Sequence, residues 1–264
     1  MKHWMATVTL TTIASATVMA PQAQAQALKG VSLSTSFSES PSKADRVGAV
    51  WYRSLLPGSS LPVPEDDRFV PTIRGRDVDD ATFRAIRLGR YSALLGFDES
   101  DWPTGSDKSD VRAALEYWPK LVATGKRLGS PAISDDFGFL DDFMAGARRQ
   151  GLRVDFIALH SYSSVSDPEA AAASVAALVD WVHDRYGLPV WVTELGVQPD
   201  ASLEGPLLTE RFVRAVVPLL QDRDFVERFA WADTGEDGLL DNKGGLTRLG
   251  RVYKCPPCEQ AQRF

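Results

Sequence analysis

Eight short runs rich in β-branched and aromatic residues recur along the chain, and their spacing restricts the fold more than any other feature. They are Lys29–Thr35, Val47–Arg53, Arg68–Arg74, Tyr91–Phe97, Ser130–Ser134, Val154–Tyr162, Pro189–Leu195 and Glu227–Asp233. Runs of this length and composition, bounded by loops or helical patterns, read as strands. Helical patterns separate the later ones. The segment opening at Ser109 carries Val111, Leu115, Trp118 and Val122 at helical spacing, with Pro119 set to kink or end it. The segment from Asp167 has an N-cap acid, Pro168 at the first helical position and Gly187 just beyond the end. Two further helical patterns start near Phe137 and Leu208. Between the first three strands there is little room for full helices.

Strand–helix alternation over eight strands predicts an α/β fold, a (β/α)8 TIM barrel with reduced early helices. The competing doubly wound sheet would carry a GxGxxG turn after its first strand, and none is present. The chain's 264 residues suit one such domain.

Two of the strands end in an unusual way. In LLGFDESD an apolar run stops on Asp98 and Glu99, and in PVWVTELG another reaches Glu194. These are the fourth and seventh strands. In a (β/α)8 barrel both glutamates then lie on the C-terminal face, where active sites are built, and strands four and seven face each other across its mouth. Two carboxylates facing across a cleft are the apparatus for breaking a glycosidic bond: one stays protonated to assist the leaving oxygen, the other stays ionised to attack the anomeric carbon. A single strand-end glutamate is as often a solvated residue or an ion-pair partner; the pair at the right ordinal positions makes that reading weaker.

Charge and cysteine usage narrow the class further. A formal charge of −6 argues against a general nucleic-acid binder. Residues 1–27 have Lys2 and His3, an apolar stretch, and Ala-x-Ala sites at Ala23–Ala25 and Ala25–Ala27, the layout of a secretory signal peptide. Export to the periplasm or the medium is therefore expected, with residues 28–264 as a single catalytic domain ending in a short cysteine-containing tail. No later segment is long and apolar enough for a stable membrane span. Cys255 and Cys258 flank two prolines near the C-terminus, which fits a local disulfide or free thiols better than a thioredoxin-type redox motif. Once the leader is removed only His160 and His183 remain, too few for the histidine-rich sites of metal-dependent barrel hydrolases. No metal and no cofactor are expected.

Five pieces in order carry a family resemblance: LLGFDESD, LGSPAISDD with the later FLDDF, VDFIALHSY, PVWVTELG and ERFAWAD. They are similar to the Leu-Gly-Phe-Asn-Glu-Pro-Asp, Gly-Ser-Pro, Asp-Phe-Ile-x-x-His-x-Tyr, Pro-Ile-Trp-Val-Thr-Glu-Phe-Gly and Arg-Tyr-Ala-Trp motifs of clan A glycoside hydrolases of the family 128 type, the glycosyl hydrolase catalytic core. The resemblance spans nearly the whole of residues 28–264. It implies a retaining endo-acting enzyme on β-1,3-glucan, with Glu99 as acid/base, Glu194 as nucleophile, and Asp98, His160, Tyr162 and Trp231 lining the sugar cleft. A polysaccharide or oligosaccharide is the implied partner, and the chain is expected to act as a monomer. The departures are Asp98 where the family has Asn, Ser100 where it has Pro, and Ser161 where it has an aromatic residue. Asp98 can accept from a sugar hydroxyl but cannot donate when ionised. The departures leave the two-carboxylate chemistry in place and open the specificity to a bacterial exopolysaccharide of other linkage. The alternative reading is a non-catalytic carbohydrate-binding protein on the same barrel.

Overall fold

Eight strands are present among the described residues, seven of them overlapping the expected runs: Leu28–Leu33 (β1), Trp51–Leu56 (β2), Phe69–Ile73 (β3), Ala93–Leu95 (β4), Arg127–Gly129 (β5), Ile157–Ser163 (β6), Val190–Val197 (β7) and Val226–Asp233 (β8). The structure is a computed structural model that describes residues 26–33, 39–56, 65–75, 78–98, 111–198, 204–233 and 238–255. All described ladders between these strands are parallel, and the sheet runs β5-β4-β3-β2-β1-β8-β7-β6. Its two ends meet through isolated parallel bridges, Gly129 with Phe156 and Ile133 with Leu159. This is a nearly closed (β/α)8 barrel, with helices Ser40–Val47 (α1), Asp80–Leu88 (α2), Val111–Val122 (α3), Phe137–Arg149 (α4), Pro168–Tyr186 (α5), Gly205–Gln221 (α6) and Arg248–Lys254 (α7).

Two strand expectations shift. Val47 closes α1 rather than opening β2, because the chain reverses at Gly48 before the strand starts. The fifth strand lies at Arg127–Gly129, not Ser130–Ser134. Pro131 has no N–H to give a ladder, so the segment after β5 contributes scattered bonds instead: Ser130 N–H donates to Phe156 O (2.9 Å) and His160 N–H to Ile133 O (2.8 Å). The early helices are short, as expected: α1 has 8 residues and α2 has 9, against 19 in α5. α5 begins and ends where predicted. Asp167 accepts from Ala170 N–H, Pro168 opens the helix, and Gly187 terminates it at φ 66°, a left-handed conformation that glycine adopts without steric cost. Pro119 and Pro218 lie inside α3 and α6 near their C-terminal ends, and each helix continues a few residues beyond.

Strand alternation sorts the apolar side chains into two sets. Val31, Leu94, Ile157, Val192, Leu195 and Phe229 join the helices in the outer layer. Trp51, Val70, Ala93, Leu95, Phe156, Ala158, Trp191 and Ala230 fill the barrel itself. Phe156 stacks on Trp191 at 3.9 Å between ring centres, and Arg228 lies over Trp191 (4.3 Å) and Trp51 (5.4 Å). This aromatic plug occupies the level of the strand starts, so the polar residues further along the strands have a rigid floor. Among the described residues, no helix is long and apolar enough to cross a membrane.

Candidate active site

The polar centre of the barrel is assembled by strand register. Ser32 and Arg53 are lateral partners on β1 and β2, and His160 and Glu194 are partners on β6 and β7. Arg53 follows Trp51 by two residues, so it shares the inward face and rises above the plug. It is 2% exposed.

Glu194 would not point inward on a regular strand. Trp191 faces the barrel interior and Val192 the outer layer, so simple alternation sends Glu194 outward with Val192. The register slips at this point: Leu159 pairs with Val192, but the next residue, His160, pairs with Glu194. The same slip appears against β8, between Val192 and Leu195. Thr193 is the extra residue of a β-bulge, its hydroxyl donating to Leu159 O (3.1 Å), and the bulge turns Glu194 to the interior. A comparable break follows β4. Leu95 faces in, yet Phe97 packs outward on Tyr117 and Trp118, and Asp98 then reaches the interior. Gly96 allows this, since a side chain there would collide with the Trp118 ring (2.7 Å).

The resulting cluster is tightly bonded. The Arg53 guanidinium donates through one Nη to Asp98 Oδ1 (2.6 Å), through the other to Glu194 Oε1, and through Nε to Ser32 Oγ (2.9 Å). Ser32 Oγ donates onward to Glu194 Oε1 (3.1 Å). Tyr162 Oη donates to the other oxygen, Glu194 Oε2 (2.5 Å). His160, with no exposed surface, has Nε2 at 3.3 Å from Asp98 Oδ1 and Nδ1 at 3.6 Å from Glu194 Oε2. The Tyr162 ring packs against Gly196, where a Cβ would stand 2.7 Å from it, so glycine permits this close approach. Tyr162 is 37% exposed and marks the mouth of the site.

These contacts shift the two carboxyls. Burial pushes the Glu194 carboxyl up, and Asp98 adds to that push. His160, Arg53 and the Tyr162 hydrogen bond outweigh both, so Glu194 is held below the ordinary carboxylate range. Asp98 behaves alike: burial raises it, and Arg53 and then His160 pull it well below. Burial would lower Arg53, but the two carboxylates hold it above its usual value. Asp98, His160 and Glu194 offer donor atoms within 4.8 Å of one another. The guanidinium already bridges both carboxylates, so the cation serving this trio is the protein's own.

Of the residues singled out in the sequence, Asp98, His160, Tyr162 and Glu194 come together here. Glu99 lies outside the described residues; its neighbour Asp98 is in the cluster. Trp231 is not brought to it. Its side chain is on the outer face of β8, with the Phe212 ring at 6.5 Å and the Tyr253 ring at 6.0 Å, while its neighbour Ala230 faces the barrel interior. Alternation along β8 decides this, and Trp231 is a packing residue between sheet and helices. Arg53 and Ser32 are site residues that the sequence reading passed over. The available signal was an arginine inside an otherwise apolar strand, in phase with Trp51.

The family model described as the glycosyl hydrolase catalytic core matches residues 30–253. Among solved structures, the chain is similar to a glycoside hydrolase family 128 (subgroup I) endo-β-1,3-glucanase from Amycolatopsis mediterranei, a glutamate-to-alanine mutant in complex with laminaripentaose. Identity is 33%, covering 87% of this chain and 99% of that one, with a TM-score of 0.73. A second mutant of that enzyme, altered at a different glutamate, is in complex with laminaritriose and laminaribiose and matches equally well. A family 128 (subgroup VII) oligosaccharide-binding protein from Trichoderma gamsii shares the fold at 21% identity, 89% and 96% coverage and a TM-score of 0.64. No curated protein matches the chain.

Proposed function

This chain belongs to the glycosyl hydrolase catalytic core family, and from that membership and the leader pattern of residues 1–27 we propose that it is an exported, retaining endo-hydrolase of β-1,3-glucan. The observation that carries the reading is Glu194. It is a buried carboxylate turned into the barrel by a bulge, kept ionised by Arg53 and His160, at the end of the barrel where such active sites lie. An ionised carboxylate is what attack on an anomeric carbon requires. Oε1 is anchored inward by Arg53 and Ser32, which leaves Oε2, beside Tyr162 at the mouth, as the attacking oxygen. Glu99 gives its proton to the leaving oxygen, the sugar is held as a glycosyl ester on Glu194, and water attacks that ester with Glu99 now acting as base. For this double displacement the two carboxyl groups stand about 5–5.5 Å apart. The bound laminari-oligosaccharides of the Amycolatopsis enzyme support the choice of substrate.

The test is incubation with laminarihexaose, following reducing-end release together with the anomeric configuration of the first product by proton NMR. New reducing ends of β configuration are expected. Initial α product would replace the double displacement by single-step inversion. A second reading, an oligosaccharide-binding protein, is favoured by one observation: Asp98, where the family has a neutral Asn, is a carboxylate already tied to Arg53 and His160. Tight binding of laminarihexaose without any release of reducing ends would establish it.

A further inference from the structure

The departure at position 98 changes the charge balance of a buried cluster, and the cluster must answer it. An Asn there would leave Arg53 and Glu194 as one cation and one anion. With Asp98 the same space holds Arg53 against two carboxylates, Asp98 being 7% and Glu194 8% exposed. A net charge enclosed away from water is expensive, and a group able to neutralise it will do so. Among the described residues, the charged groups at His160 are Asp98 beyond β4 and Glu194 on β7; both bond to Arg53 on β2, and Glu194 also accepts from Tyr162 on β6, the strand of His160, and from Ser32 on β1, which carries no charge. Within this group only His160 can supply a second positive charge.

We propose that His160 is an imidazolium in the resting protein at neutral pH, a positioning residue whose proton is the counter-charge for Asp98. The geometry gives the reason. Its two ring nitrogens each lie within ion-pair distance of a carboxylate oxygen, Nε2 at 3.3 Å from Asp98 Oδ1 and Nδ1 at 3.6 Å from Glu194 Oε2, although Nε2 is not aligned for a hydrogen bond. A neutral imidazole carries no charge, so Asp98 and Glu194 would then share the single positive charge of Arg53. The imidazolium places a second positive charge beside both. Burial opposes the charge, but two flanking carboxylates against one guanidinium favour it, and protonation brings Arg53, His160, Asp98 and Glu194 to neutrality. The inference rests on the functional reading in one respect: if Glu194 is the nucleophile, the His160 proton adds to the positive charge that keeps it ionised.

Imidazole nitrogen shifts, read by long-range proton–nitrogen NMR on the full chain without substrate, decide the matter. The His160 signals are assigned by their absence from His160→Asn. Two protonated ring nitrogens at pH 7, titrating well above the ordinary value of about 6.5, are expected. Asp98→Asn should bring that titration down by about 1–3 units, the effect of removing an adjacent opposite charge. If Asp98→Asn fails to fold, Glu194→Gln read in the same spectrum should move the titration the same way. A neutral tautomer at pH 7 in the parent, or a titration indifferent to both substitutions, overturns the proposal. Because the spectrum needs no turnover, a chain that cleaves no glucan would sink the functional reading and leave the histidine result standing.

Discussion

Replacing Arg53 by Met tests whether the cluster is held by charge. The methionine keeps the aliphatic reach and removes the guanidinium, leaving Asp98 and Glu194 buried without their shared cation. Breaking a buried ion pair by deleting one partner costs about 3–5 kcal/mol. Arg53 bonds to both carboxylates and to Ser32, so the upper half of that range is expected. Set against a typical domain stability of about 5–15 kcal/mol, the variant should remain folded but marginal. The sign of the pH dependence is fixed by the directions of the carboxyl shifts. In the parent both groups lie below their ordinary values of 3.8 and 4.5, so their contribution is present above those values and is lost as pH falls through the lower, folded-state ones. In the variant burial acts with much less opposition and raises both carboxyls. Acidification from pH 7.5 to 5 should then protonate and relieve them, and the stability gap should narrow. Urea unfolding followed by circular dichroism at the two pH values measures this. A loss under about 1 kcal/mol at pH 7.5, or a gap that does not change with pH, would refute the electrostatic account and make Arg53 a packing residue.

Glu194→Ala should abolish turnover, with azide restoring cleavage to a product of inverted configuration, whereas Glu99→Ala rescued by azide should give retained configuration; exchanged outcomes would exchange the two roles. Tyr162→Phe deletes a hydrogen bond that lowers the Glu194 carboxyl. Since the ionised form attacks, the acid limb of kcat/KM should move to higher pH, and an unmoved limb would show that this hydroxyl does not tune the nucleophile. Trp231→Ala should cost about 3–5 kcal/mol by leaving a cavity between sheet and helices, with KM for laminari-oligosaccharides unchanged in the folded fraction. A raised KM with stability intact would instead return Trp231 to the cleft.

The sequence by itself determined the number and order of the strands and the places of the later helices. A period of two in apolar residues, broken by glycine, proline and capping acids, is a local signal, and local signals survive without coordinates. That is why seven of the eight strands and the bounds of α5 were legible, and why the ordinal places of Glu99 and Glu194 could be read from strand counting. The tertiary structure decided which way the side chains face. Strict alternation would have turned Glu194 outward and Phe97 inward; the Thr193 bulge and the break at Gly96 reversed both. A bulge is set by pairing with neighbouring strands distant in the chain, so no local pattern announces it. The same alternation, regular from Arg228 to Trp231, placed Trp231 in the outer layer although its motif suggested the cleft. Arg53 was readable only as an arginine in a strand. Its meaning comes from register, which brings residues 32, 98 and 194 within reach of a single guanidinium, and register is a property of the closed sheet.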